Sequence, residues 1–128
     1  MSSPTYHVLT LPRVGTAAAG AAEIARIGMN ALPGKLFITS LVFVPDTAVT
    51  ADDTNYATLT FAIGSTTIGT LVTNLAQGDL VAGTPVAITL SGDLTVAAGA
   101  IVKVTKTYAG TGAVMSGVAL AQCIEMRA

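Results

Sequence analysis

The strongest constraint in this chain is a period of two that recurs from one end to the other. The segment NYATLTFAI (55–63) places Ala57, Leu59, Phe61 and Ile63 on one side and Tyr56, Thr58 and Thr60 on the other. Successive side chains leave a β-strand on opposite faces, so this alternation marks a half-buried strand. The same pattern runs through TYHVLTL (5–11), KLFITSLVFV (35–44), TTIGTLVT (66–73), TPVAITLS (84–91), AIVKVTKTY (100–108) and VMSGVALAQCIEM (114–126). Turn residues separate the segments. Pro33-Gly34 precedes KLFITSLVFV, Pro45-Asp46 stops it, and Gly64-Ser65 is compatible with a hairpin.

One segment fits two periods. TAAAGAAEIARIGMN (16–30) is rich in alanine, the best helix former, and spaces Glu23 and Arg26 three apart as a helix face would. Gly20 and Gly28 weaken that reading. The reading adopted is a loose Ala/Gly-rich N-terminal arm over residues 1–22, followed by a strand through EIARIGM. The chain then holds about eight strands with turns at intervals of roughly eight to fifteen residues. This predicts an all-β fold, an antiparallel β-sandwich of jelly-roll-like type, as one domain over residues 1–128.

Two segments depart from the half-buried rule. KLFITSLVFV is apolar on both sides, with Phe37, Leu41 and Phe43 on one and Leu36, Ile38, Val42 and Val44 on the other. An antiparallel strand with one wet face alternates cleanly, so its outer face is expected to be covered by the arm or by a neighbouring subunit. In the last segment Val118, Leu120 and Ile124 are expected on one face, inward. Gly117, Ala119 and Ala121 are then outward, where small side chains let another backbone approach. Elsewhere Val86, Ile88, Leu90, Val102 and Val104 are expected inward, with Lys103, Thr105 and Thr107 outward.

Composition narrows the function. Hydrophobic residues make up 52% of the chain and charged residues 10%, against about 25% in a typical domain. A surface so poor in charge is expected to be partly covered by partner subunits, since monomers rarely expose large apolar patches. Six basic and seven acidic residues leave a net charge of −1, with no basic face for nucleic acid or anionic membrane. No run approaches the ~20 apolar residues of a membrane-spanning helix. MSSPTYHVLTLP lacks the basic start and apolar core of a secretory signal, so none is expected. The single cysteine, Cys123, excludes an internal disulfide and a cysteine-based zinc site, which suits a chain made in a reducing cytosol or one indifferent to redox.

The one histidine, His7, would have to serve any Ser-His-Asp triad, but no GxSxG elbow exists, and it is read as a surface or interface residue. Cys123 lacks the cationic neighbour of a reactive thiol and is read as a small buried hydrophobe. Asp46, Asp52 and Asp53, with Asn55 and the Thr50 and Thr54 hydroxyls, offer oxygens to calcium, yet the D-x-[DN]-x-[DN]-G loop is absent. Asp and Asn also brace turns through their own backbone, and that reading is adopted here. Asp79 and Asp93 stand in isolated turn contexts, QGD and SGD, and the chain has no Trp to make a sugar platform. GTGAVMSG (110–117) lacks the lysine of a phosphate loop and reads as a hairpin loop. No catalytic, cofactor-binding or metal residue is assigned, no cofactor is expected, and the chain is not expected to be an enzyme.

Three stretches carry a resemblance. VFVPDTAVTADDTNYATLTFAIG, then AAGAIVKVTKTYAGTG, then a hydrophobic last strand, are similar to the small jelly-roll proteins of tailed bacteriophages, over residues 33–124. These include capsid decoration (cementing) proteins and head-fibre base domains. The resemblance implies a virion structural protein made in the host cytoplasm. It implies a homo-oligomer, a trimer, that binds the major capsid protein on the outer capsid surface and stabilises the icosahedral head. Closed symmetry also covers apolar strand faces without open-ended aggregation. Two rivals remain open at this point: another phage module, such as a head fibre, neck or tail receptor-binding domain, and a jelly-roll carbohydrate-binding module. The last requires a cleft with convergent carboxylates or aromatics.

Overall fold

A computed structural model describes residues 6–10, 14, 18–30 and 34–126 of the chain. Among the described residues there is no helix. Nine strands form: β1 (Tyr6–Thr10), β2 (Glu23–Met29), β3 (Lys35–Pro45), β4 (Tyr56–Ile63), β5 (Thr66–Val72), β6 (Val86–Ala87), β7 (Thr95–Val96), β8 (Ile101–Ala109) and β9 (Gly117–Met126). They make two antiparallel sheets packed as a β-sandwich. The larger runs β1-β9-β3, with the short β6 and β7 both pairing β3; the smaller runs β2-β8-β4-β5. The ambiguous Ala-rich segment resolves as expected from Glu23 onward, where β2 pairs β8.

The core lies between the sheets. Phe43, Leu41, Ile38 and Leu36 enter from β3, Leu59 and Phe61 from β4, and Val102 and Val104 from β8. Two facings differ from the sequence expectation. On β3 the pairing with β9 shifts register between Ile38 and Ser40, so Thr39 is an extra residue. A bulge of one residue reverses the parity beyond it. Leu36 and Ile38 therefore share the inner face with Leu41 and Phe43, while Phe37, Val42 and Val44 remain partly exposed. On β9 the expected facing is reversed outright. Gly117, Ala119, Ala121 and Cys123 are buried, and Val118, Leu120 and Ile124 lie on the outer side. The reason is volume. Phe43 pairs Ala119 and fills the space in front of β9; a Cβ added at Gly117 would lie 2.7 Å from Phe43 Cζ and 2.3 Å from the Val44 carbonyl oxygen.

The segment expected as one strand, TPVAITLS, is divided. Only β6 joins the ladder; Ile88 N–H then bonds the Leu41 carbonyl (2.9 Å), and Ser91 N–H bonds the Ile68 carbonyl on β5 (2.9 Å). This stretch crosses from the larger sheet to the smaller and returns as β7, closing one side of the sandwich. Gly69 permits the crossing, because a Cβ there would meet Ile88 Cγ2 at 2.6 Å.

The partners Pro45↔Gly117, Tyr56↔Ala109 and Thr58↔Val72 bring the connections 46–55, 73–85 and 110–116 to one end of the sandwich. Val14 also lies at this end. It is buried and exchanges backbone hydrogen bonds with Gly117, at 2.9 and 3.0 Å.

Candidate functional site: the outer face of the larger sheet

The pleat of β1, β9 and β3 sets the composition of this face. Cross-strand partners form rows: Tyr6, Ile124 and Phe37; then Val8, Gln122 and Ser40; then Leu120 and Val42; then Val118 and Val44. Tyr6 and Val8 are 63% and 61% exposed, and the apolar members of the inner rows are half-buried by one another. The polar centre is tied down. Thr39 Oγ1 donates to the Gln122 carbonyl (3.1 Å), and the Ser40 hydroxyl lies 3.3 Å from Gln122 Oε1. A shallow hollow of about 270 Å³ lies there, lined by Val8, Ser40, Val42, Leu120 and Gln122. Such a surface can bury apolar area against a complementary one.

The smaller sheet turns a different face outward. Thr58 pairs Thr107, and Thr60 pairs both Thr105 and Thr70, so five threonines form a ladder across β8, β4 and β5. Lys103 stands beside them. Ile24 on the edge strand β2, 70% exposed, and Ile101 on β8, 40% exposed, are its large apolar exceptions.

The residues singled out for chemistry are distributed over the fold and mostly spent on the backbone. Asp52 Oδ1 accepts from the N–H groups of Thr54 (2.7 Å) and Asn55 (2.8 Å). The Asn55 bond, then the Thr54 bond, hold its carboxyl below the usual carboxylate value. Asp53 Oδ1 accepts from Leu75 N–H (2.9 Å), Asp79 Oδ1 from Ala51 N–H (2.7 Å), and Asn55 Oδ1 from Thr111 N–H (2.9 Å). Asp46 Oδ2 accepts from the Ser116 hydroxyl (2.7 Å). The DDTN cluster thus staples three connections together at one end of the sandwich. Asp93, elsewhere, accepts from Thr95 N–H (3.0 Å), which lowers its pKa. Among the described residues, no three His, Cys, Asp or Glu side chains converge as a metal site would need.

His7 Nε2 lies 3.4 Å from Glu125 Oε2, a contact between β1 and β9. Cys123 is fully buried, and burial pushes its thiol up to about 11, away from the reactive thiolate. One group escaped the sequence reading. Lys106 has the same parity as Val102 and Val104, and its side chain is buried on the inner face of β8. Its Nζ donates to the carbonyls of Ala18 (2.8 Å) and Ala19 (3.3 Å). Desolvation lowers its pKa and the Glu23 charge opposes that. The signal was available in IVKVTKT, where a lysine continues an otherwise apolar period-two row.

The chain matches no protein-family model, and comparison with curated proteins and with solved structures likewise finds no match.

Proposed function

We propose that this chain is a virion structural protein, a capsid decoration protein that assembles as a homotrimer on the outer surface of an icosahedral phage head and cements it. The observation that carries the reading is the inversion of β9. This central strand of the larger sheet turns Val118, Leu120 and Ile124 away from the core and Gly117, Ala119 and Ala121 into it. Water gives no return for that arrangement, since each fully buried Val, Leu or Ile is worth about 1.5–3 kcal/mol. A partner surface does. The resemblance of residues 33–124 to phage jelly-roll proteins supplies the kind of partner, and the low charge agrees with a protein covered on several sides.

The size of the face fits a lattice better than a pair. Three strands at about 4.8 Å spacing and roughly 30 Å of length offer roughly 400 Å². A stable two-body interface takes about 800 Å² from each partner. Several such contacts acting together, sister copies on one side and shell on another, reach what one cannot.

Two measurements test this. Light scattering at micromolar concentration is expected to give a trimer. Added to icosahedral phage heads stripped of their decoration, the protein is expected to co-sediment with them and appear as surface density in negative stain. A monomer that leaves the heads bare rejects the proposal.

A further inference from the structure

We infer that the end of the sandwich built from the connections 46–55, 73–85 and 110–116 is the surface that seats on the shell, and that the shell meets it with an apolar centre ringed by lysine or arginine. The inference rests on the decoration proposed above and names the partner's chemistry and the surface it meets.

The three connections form one platform, because 46–55 is tied to both of the others. Toward 73–85, Val49 and Leu80 exchange backbone bonds (3.1 and 2.9 Å), Asp79 Oδ1 accepts from Ala51 N–H, and Asp53 Oδ1 accepts from Leu75 N–H. Toward 110–116, Asp46 N–H donates to the Ser116 carbonyl (2.8 Å), and Asn55 Oδ1 accepts from Thr111 N–H. Loops tied in this way are ordered before anything binds, which lowers the entropic cost of docking. On this platform Leu80 and Met115 are buried, yet the residues beside them, Val81 and Val114, are more than half exposed, and so is Leu75. Three apolar side chains are thus held in water by fixed loops.

Charge decides what covers them. The same connections carry Asp46, Asp52, Asp53 and Asp79, four of the seven acidic residues of the chain, and no lysine or arginine. Like charges keep the same end of a second copy away, and they disfavour nucleic acid and anionic lipid equally. A protein surface that answers exposed apolar side chains set among four carboxylates carries basic side chains around an apolar centre.

Symmetry multiplies the seat. A rotation leaves the direction along its axis unchanged, so three copies joined around one axis through their sheet faces turn all three acidic ends the same way. Three modest contacts made together hold far more tightly than one.

The test uses the full chain and stripped icosahedral heads. The triple variant Asp52→Asn, Asp53→Asn and Asp79→Asn removes three charges, while each side-chain oxygen still accepts its backbone N–H. Its affinity for heads in co-sedimentation is expected to fall about tenfold, the effect of three exposed charge pairs, with the trimer intact by light scattering. Added salt is expected to weaken the wild-type protein more than the variant. Should the triple variant unfold, Leu75→Lys with Val81→Lys, at exposed positions, decides by the same two readouts. A folded variant that coats heads as the wild type does overturns the inference and leaves decoration standing. A variant that loses the trimer also overturns it, because this end then joins sister copies. Wild-type protein that leaves heads bare overturns the decoration reading and this inference with it.

Discussion

On β4 and β8 the side chains that leave the core are mostly threonines; on β3 and β9 they are mostly phenylalanine, valine, leucine and isoleucine. The backbone geometry is the same in both sheets, and so is the alternation that built them. The threonine ladder offers water a hydroxyl at each step and fills the pleat with β-branched methyls, which is what a strand with a solvated face needs. The other face offers water little beyond Ser40, Thr39 and Gln122 at its centre. The inner faces reverse the contrast. β4 puts Leu59 and Phe61 inside, whereas β9 puts in glycine, alanine and cysteine.

The largest effect separates inner from outer within one strand. Phe43→Ala empties a fully buried site and is expected to cost about 3–5 kcal/mol of stability, read by urea unfolding. Phe37→Ala, on the outer face of the same strand, is expected to cost less than half of that as a monomer. Equal costs would erase the inner–outer distinction on β3. Gly117→Ala comes next, at about 1–3 kcal/mol, because its Cβ has no room against Phe43 and Val44. A neutral result would restore the facing that the sequence suggested.

The two outer faces are compared directly by placing a charge on each. Leu120→Lys is expected to weaken self-association at least tenfold, about 1.4 kcal/mol, in sedimentation equilibrium. Thr105→Lys, on the threonine ladder, is expected to change neither association nor stability beyond about 0.5 kcal/mol. Loss of assembly in both variants would mean that either face is used. The smallest effect is at the stapled end. The Asp52 carboxyl is held low by backbone N–H groups, so its contribution is present at pH values above its ordinary 3.8 and is lost as pH falls through the lowered native value. The acid decline in Tm is expected to be slightly shallower in Asp52→Asn, whose Oδ1 still accepts both bonds but does not titrate.

Much of the fold was legible in the chain. The strands through 55–63 and 100–108 fall where the alternation placed them, with Ala57, Leu59, Phe61, Val102 and Val104 buried as expected. Gly64 takes a positive φ of 60° in the hairpin predicted at Gly64-Ser65. The hairpin partners and the turn residues carry their own local chemistry, so they can be read without knowing what lies across the sandwich. β6 and β7 were read less well, because 84–96 serves two sheets in turn and its pattern is set by neighbours distant in sequence. The apolar character of both sides was visible in KLFITSLVFV, but which residues turn outward was not.

The amino-acid order by itself determined that this protein is made of strands, because a period of two is a property of the chain alone. It did not determine which side of β3 and β9 is the inside. Where both sides are apolar, parity gives no preference, and the choice passes to volume. The extra residue at Thr39 carries Leu41 and Phe43 to the same side as Leu36 and Ile38. With Phe43 in the space between the sheets, Gly117 on the neighbouring strand β9 has no room for a side chain, and the small Ala119, Ala121 and Cys123 continue its buried row. That decision exists only once the two sheets are packed, since close packing, not hydrophobicity, is what excludes the larger residues.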